Sequence, residues 1–593
     1  MPSTPNILPA GSRVKFEVLA LASLIALVCL ITWPGMNAPL LLDDNDQMIF
    51  VKGFTSWANC FGNDGYRLFR PVKNLIYYAF QDTSLFKWHL LNLSFYLASI
   101  PMVYLLLRRL LGSAVWAFAA VAIWATCPTQ ASTAVWMSCV SISLAISLSC
   151  ACMICYDIAR EKPGRNAGRI ILVGLCLFLA QCSYESAVMV PALCVLVDAL
   201  RKRPLFSRTA ILHYTLLAGV TLAYLALRAG VGSAHSSQAL NLGFSPDITG
   251  WQLSLSAPWF LWRHFSMWLM PAGRIEFCST YIWGVSASSW TLAAAWAWLL
   301  GILGVILFMR TRQPWVAFGL LWFLITSFPS SNFVPIWAGP IEDYYLVVPG
   351  IGLATALLGC AKALIDWINR ERTNPESQSK LIGGSLLCVG VLWRVMCIPL
   401  FWLQAGLWSQ PLNLYLHCEL TRPAQFHLQS SVARELFSNG NLQQAGEWAM
   451  KSYQTGPWHA GSLMILGSVA LENADYEEAE NRFQEALRKS PDQTHVHDYF
   501  QFRLAKTYMA QASKRHLVRE TLLPLLNHPH SVYHLDAINL QLDCYLALDQ
   551  PNDARRAATK AVQLHPDNQQ LAGRLQDIEK KFPSTESSRP PQK

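Results

Sequence analysis

Between residues 15 and 404 the chain consists largely of apolar runs, at 15–34, 88–107, 113–129, 136–156, 170–183, 185–200, 209–228, 288–309, 314–331, 344–365 and 381–404. No other feature constrains the fold as strongly. A bilayer core admits segments of about 20 apolar residues whose backbone amides are paired within the segment. The runs predict an all-α, polytopic membrane domain with about eleven crossings over residues 1–409. Composition agrees, since 14% of the residues are charged against about 25% in soluble domains. Beyond residue 410 Glu, Lys, Arg and Gln return, which predicts a water-facing domain over 410–580 and a disordered polar tail over 581–593.

The net charge of +9 does not point to nucleic acid, because the basic residues border apolar helices, where they orient the chain in the bilayer. They cluster at Arg13 and Lys15, Arg108 and Arg109, Arg160 to Arg169, Arg201 to Arg208, Arg310 and Arg312, and Arg370 to Lys380. These clusters fall on every second connection if 229–287 stays on the outer side, with Pro258 to Met270 as a re-entrant or interfacial helix. Arg263 and His264 make that stretch a costly full span; His264 reads as a structural residue. The N-terminus is then cytoplasmic and the C-terminal domain lies outside. The first run, Val18 to Trp33, leads into Pro34 and Gly35 rather than a cleavage site, so it is expected to persist as a helix. Cys150, Cys152 and Cys155 crowd one apolar segment and read as small core residues rather than metal ligands.

The C-terminal region repeats. Pro423, Pro457 and Pro491 are 34 residues apart, and Pro529 and Pro566 follow after 38 and 37. A period of 34 is that of the tetratricopeptide repeat. In the unit 460–493, Leu466-Gly467 falls in the first helix, and Ala479, Phe483, Ala486 and Pro491 take the expected offsets. Ala445, Ala479 and Ala554 recur at one place in their units, where small side chains let paired helices approach. About four repeats are predicted, forming an α-solenoid with a concave groove for a peptide or partner.

The first outer loop, 35–87, carries both LLDDNDQMIF and YRLFRPVKNLIYYAF. Moving a sugar from a lipid phosphate to a hydroxyl needs a base beside the attacking oxygen, a role Asp43 or Asp44 can fill. It also needs positive charge on the departing phosphate, which Arg67, Arg70 and Lys73 are placed to supply. Arg228, just after a helix, is a further cation for a lipid phosphate. Glu185 and Glu342 lie at membrane boundaries, where an acid must be paired or wet.

The order of these motifs resembles the transmembrane-and-tetratricopeptide protein O-mannosyltransferases and their bacterial relatives, within the GT-C superfamily of polyprenyl-phosphate-sugar-dependent glycosyltransferases. Asp43-Asp44 resembles the family's acidic pair after the first helix. Arg70-Pro71 matches its Arg-Pro before an amphipathic segment, and His89 and Asn92 in WHLLNLSFY match its His and Asn. CPTQASTAVW keeps Pro128, Gln130 and Trp136, with Cys127 and Ser132 where the family has His and Glu. SYESAVMVP keeps Glu185 and Pro191, with Tyr184 in place of Lys and a later Asp kept as Asp198. In the motif ending IEDYYLVVPGIG, Glu342 and Tyr344 match and Asp343 replaces Arg.

The resemblance implies inverting transfer of mannose or another hexose from a polyprenyl-phosphate donor to a protein or glycan acceptor. Asp43 or Asp44 would be the catalytic or acceptor-orienting group, with His89, Asn92, Glu185, Glu342 and Tyr344 in support. It implies no obligatory cofactor. A divalent metal serves the oligosaccharyltransferase branch and is not predicted here.

Three rivals are weaker. A transporter calls for ionisable residues in mid-membrane and repeated helices, and neither is evident. An O-antigen-ligase-like enzyme would carry its large outer loop later in the chain. A non-catalytic scaffold anchoring the repeats for a cell-envelope complex would not need eleven helices. The only Asn-X-Ser/Thr site, Asn92 to Ser94, lies in an apolar run, which favours a bacterial inner membrane with periplasmic repeats over an endoplasmic-reticulum membrane with luminal ones.

Overall fold

The computed structural model describes residues 10–64, 68–161, 167–231, 247–271, 275–276, 279, 281–335, 339–370, 378–421, 425–490, 495–528, 531, 533–566 and 568–582. Arg67, Pro423, Pro491 and Pro529, and the tail from 583, lie outside them. The chain is 82% helix with no strand among the described residues. It divides into two compact units, Met1–Pro423 and Ala424–Lys593.

The first unit begins with α1 (Ala10–Thr32), α2 (Asp43–Lys52), α3 (Pro71–Phe80), α4 (Leu85–Leu111), α5 (Ala114–Ala125), α6 (Ala131–Val135), α7 (Val140–Glu161) and α8 (Ala167–Ser183). It continues through α9 (Val190–Leu200), α10 (Arg208–Gly230), α11 (Gly250–Leu269), α12 (Ser289–Arg312), α13 (Pro314–Ser327), α14 (Val347–Arg370), α15 (Gln378–Trp408) and α16 (Pro411–Thr421).

Among the described residues seven helices are long and apolar enough to cross a membrane: those containing α1, α4, α7, α10, α12, α14 and α15. The expected run 113–129 is not one straight span, since α5 and the 128–135 helix meet at a 65° bend. Pro128 explains the break, because it donates no amide and pushes Cys127 out of the helical region. The runs 170–183, 185–200 and 314–331 form α8, α9 and α13, of 17, 11 and 14 residues. At 1.5 Å per residue, α9 and α13 are each shorter than a hydrocarbon core of about 30 Å.

Two devices hold these helices together. Gly319 on α13 and Gly352 on α14 let the backbones touch, since a Cβ on Gly319 would sit 2.3 Å from the Gly352 carbonyl. At the C-terminal ends of α4, α7 and α9, the fully buried Asp157 and Asp198 gather arginines. Arg203 lies 2.8 Å from Asp157 and 3.1 Å from Asp198, Arg160 is 3.0 Å from Asp198, and Arg109 also pairs with Asp157. These basic residues, expected to mark topology, thus also clamp three helices.

The second unit contains α17 (Phe426–Ser438), α18 (Leu442–Thr455), α19 (Ala460–Glu472), α20 (Tyr476–Lys489), α21 (His495–Ala510), α22 (Val518–Leu526), α23 (His534–Ala547), α24 (Pro551–Leu564) and α25 (Gln569–Lys581). Consecutive helices pack on one another. The connections α17–α18, α19–α20 and α23–α24 each place one residue at positive φ: Gly440 (78°), Ala474 (58°) and Asp549 (57°). Asn441 and Asp475 then cap the helices that follow. Ala445, Ala479 and Ala554 are fully buried. Gly467 is held by close approach, because a Cβ there would lie 2.7 Å from the Phe483 ring.

Candidate active site

The site is built on a corner between α1 and α2. After α1 the chain turns at Trp33–Gly35, pressed so closely on α6 and α15 that a Cβ on Gly35 would meet Val135 at 2.5 Å and the Ala405 carbonyl at 2.9 Å. Two polar residues on α4 tie this corner down. His89 places its ring nitrogens 2.9 Å from the Val135 carbonyl and 2.8 Å from the Ala38 carbonyl. Asn92 points its amide nitrogen at the carbonyls of Thr133, Ala134 and Trp136, each at 3.1 Å. Both expected supporting residues thus hold the 131–136 corner through its backbone carbonyls.

That corner delivers Ser138 to the acidic pair. Asp44 is 1% exposed. Its carboxylate accepts the Ser138 amide at 3.0 Å, the Ser138 hydroxyl at 2.7 Å and the Leu41 amide at 3.2 Å. Burial pushes its carboxyl up to about 7, with the Ser138 and Leu41 hydrogen bonds opposing. The intervening Leu42 sits at φ 51° and ψ −120°, an uncommon conformation for a branched side chain that costs about 1–3 kcal/mol. It is locked from both sides, because the Leu41 carbonyl also accepts the Trp136 indole N–H at 3.3 Å. The strained turn presents Asp43, which is partly exposed, while Asp44 faces inward. The pair is thus split into a reachable carboxylate and an enclosed one.

The cations arrive on α3, started by Pro71 at its first turn. Arg70 forms a two-pronged pair with Glu185, at 2.7 and 2.5 Å, and lies 3.8 Å from Asp64. Its guanidinium carbon is 5.0 Å from the centre of the Tyr184 ring. These carboxylates hold Arg70 well above its usual range despite burial. Lys73, one turn on, is 1% exposed, yet no described carboxylate lies within 4 Å of its Nζ. Burial pushes its ammonium below the usual lysine range, with Asp64 chief among the charges opposing that shift. A buried lysine without an ion-pair contact among the described residues, its Nζ facing the Tyr77 ring at 5.7 Å, is a ready partner for an anion.

Around this centre the expected residues converge. Arg228 is near enough to Glu185 to interact electrostatically, and Tyr344 likewise to Asp43. Trp136 packs between Tyr344 and Trp408, with ring centres 5.6 and 5.8 Å away. Glu342 is buried over Gly339, where a Cβ would meet its carboxylate at 2.3 Å. Sequence reasoning missed Ser138 and Asp64. The first pairs with a residue 94 positions away and carries no local signal. The second was visible as an acid six residues before Arg70. Beside the centre, a small apolar pocket is lined by Tyr184, Ile146, Met153, Leu193, Trp322 and Ile351. Among the described residues no three His, Cys, Asp or Glu side chains converge as metal ligands.

No protein-family model matches the chain, and no curated protein matches it significantly.

Proposed function

We propose that the chain is a membrane glycosyltransferase of GT-C type, moving mannose or another hexose from a polyprenyl-phosphate donor to a protein or cell-envelope acceptor on the non-cytoplasmic side. The observation that carries this reading is the meeting of a partly exposed Asp43, a buried Lys73 without an ion-pair contact, and a small apolar pocket reaching Tyr184. Asp43 accepts the proton of the acceptor hydroxyl as its oxygen attacks the anomeric carbon. The bond from that carbon to the phosphate oxygen breaks, and polyprenyl phosphate departs with the electron pair. Lys73 neutralises the charge that builds there. Arg70, held by Glu185, positions the acidic side of the site, and Asp44 fixes the turn that presents Asp43.

The same reading takes the second unit as tetratricopeptide repeats that bind acceptor or partner, supported by the recurring positive-φ turns and buried alanines. It takes the shorter helices α8, α9 and α13 and the bent pair as further crossings, which keeps the repeats outside, in the periplasm of a bacterium.

The test is transfer by reconstituted protein from a panel of polyprenyl-phosphate sugars to peptide and envelope acceptors. Asp43→Asn is expected to abolish transfer while folding and insertion persist. Full activity in that variant refutes the assignment, and no turnover of any donor by the native chain moves the scaffold reading ahead.

A further inference from the structure

Outside the site just described, the membrane unit holds a partly buried cation in the middle of α15. Arg394 lies fourteen residues before the end of α15, about 21 Å along the axis, well inside the apolar stretch Ile382–Trp408. A guanidinium at that depth is costly unless paired or wetted, and such residues mark binding sites or ion paths. Its Nη1 and Nη2 are buried and have no hydrogen-bond partner among the described residues, beyond a polar contact with the Cys397 thiol one turn on. No described carboxylate lies within 4 Å of it.

What it does touch is Trp268 on α11, with the guanidinium carbon 4.2 Å from the ring centre. The Trp268 indole N–H is also without a partner. One turn earlier on the same face of α11, His264 is 1% exposed and neither ring nitrogen is hydrogen-bonded among the described residues. Buried polar atoms almost always find partners, yet the two terminal nitrogens of Arg394 and the indole nitrogen of the touching Trp268, all donors, do not. Close by, the chain leaves its helix at the 65° bend between α5 and the 128–135 helix, and Cys127 in that break lies within electrostatic reach of Arg394. Irregular backbone at membrane depth is tolerated where it is enclosed by protein or lines a wet cavity.

We propose that Arg394 and Trp268 form a phosphate-binding site within the membrane unit, separate from the Arg70–Lys73 cluster. The occupant is the phosphate of a lipid. The neighbours of Arg394 on α15, Val391, Leu392, Val395 and Met396, are all more than half exposed, so the site borders the acyl phase and is entered from it. The planar guanidinium, stacked on an indole with its outer nitrogens unbonded, suits two-pronged contact with a phosphate. This inference does not depend on sugar transfer.

Calorimetric titration of the detergent-purified full chain tests it, using dihexanoyl phosphatidic acid, dihexanoyl phosphatidylcholine and inorganic phosphate. The native chain is expected to bind phosphatidic acid at least tenfold more tightly than either other probe. Arg394→Gln should weaken that binding at least tenfold, and Arg310→Gln, at the exposed end of α12, should leave it unchanged. Arg394→Lys keeps the charge should the glutamine variant fail to fold, and without the two-pronged fork it should lose at least threefold. Native affinity in both Arg394 variants, or an equal loss of binding in Arg310→Gln, overturns the site. Equal affinity for inorganic phosphate overturns the lipid as its source.

Discussion

Replacing Lys73 with Met separates a functional charge from a structural one. Lys73 is buried, and desolvation outweighs the pull of Asp64, Asp43 and Asp44, so its ammonium is held less firmly than in the unfolded chain. For a base whose folded value is depressed, stability is fullest above the unfolded value and is lost as pH falls through the folded one. At neutral pH, below the unfolded value, burying this lysine therefore opposes folding. Methionine matches its length and fills the same space beneath Tyr77, whose ring centre lies 5.7 Å from Nζ. Removing a desolvated charge in favour of a packed apolar side chain is neutral to about 3 kcal/mol stabilising. If Lys73 neutralises the departing phosphate, transfer falls about 100- to 1,000-fold. Thermal unfolding in detergent and donor turnover are measured on the same preparation, with stability rising or unchanged while activity collapses. A loss of more than about 2 kcal/mol would show that Lys73 is a counter-charge for the three aspartates, and unchanged turnover would remove it from the chemistry.

Asp44 carries a pH signature. Its carboxyl is raised from 3.8 to about 7, so the folded state holds the proton more firmly between those values, and stability falls as pH rises across that window by up to about 1.4 kcal/mol per unit. On raising the pH from 4 to 7 the unfolding temperature of the native chain should fall relative to that of Asp44→Asn, and parallel curves refute the assignment. Arg70→Met leaves Glu185 without its two-pronged partner and should cost about 3 kcal/mol, most of it recovered in the double variant with Glu185→Leu; no recovery in a denaturation series would mean that the pair does not act as a unit. In the second unit His427 and His459 pack with ring centres 4.3 Å apart, and burial pushes His459 down to about 3 and His427 well below its usual range. Their contribution is present above the unfolded value of 6.5 and is lost as pH falls below it. Hydrogen exchange in α17 and α19, corrected for intrinsic rates, should therefore quicken at pH 5.5 relative to pH 7.5, and equal protection counts against this.

The helical, apolar character of the first unit was legible because hydropathy averages over many residues and tolerates local error. Its breaks were harder to read. Pro128 and the polar Tyr184-Glu185 step interrupt runs that composition alone joins, so apolar stretches became a bent pair and helices shorter than a span. Averaging also hid Arg394, one charge inside 381–404 whose neighbours are strongly apolar, although the same sequence was judged free of mid-membrane ionisable residues. At the site, Asp43, Arg70, Lys73 and Glu185 were legible as charges beside apolar runs. Their division of labour was not, because it depends on contacts between distant segments. Asp44 is enclosed only because α4, through His89 and Asn92, brings Ser138 onto it.

The central claim is that this corner breaks a sugar–phosphate bond. The most direct measurement is release of polyprenyl phosphate from a labelled polyprenyl-phosphate mannose by proteoliposomes, with and without acceptor, for the native chain and Asp43→Asn. The account predicts acceptor-dependent release by the native chain, with one sugar linked to acceptor per polyprenyl phosphate formed, and background release by the variant. Equal release by both proteins, or none by the native chain across the donor panel, would contradict it.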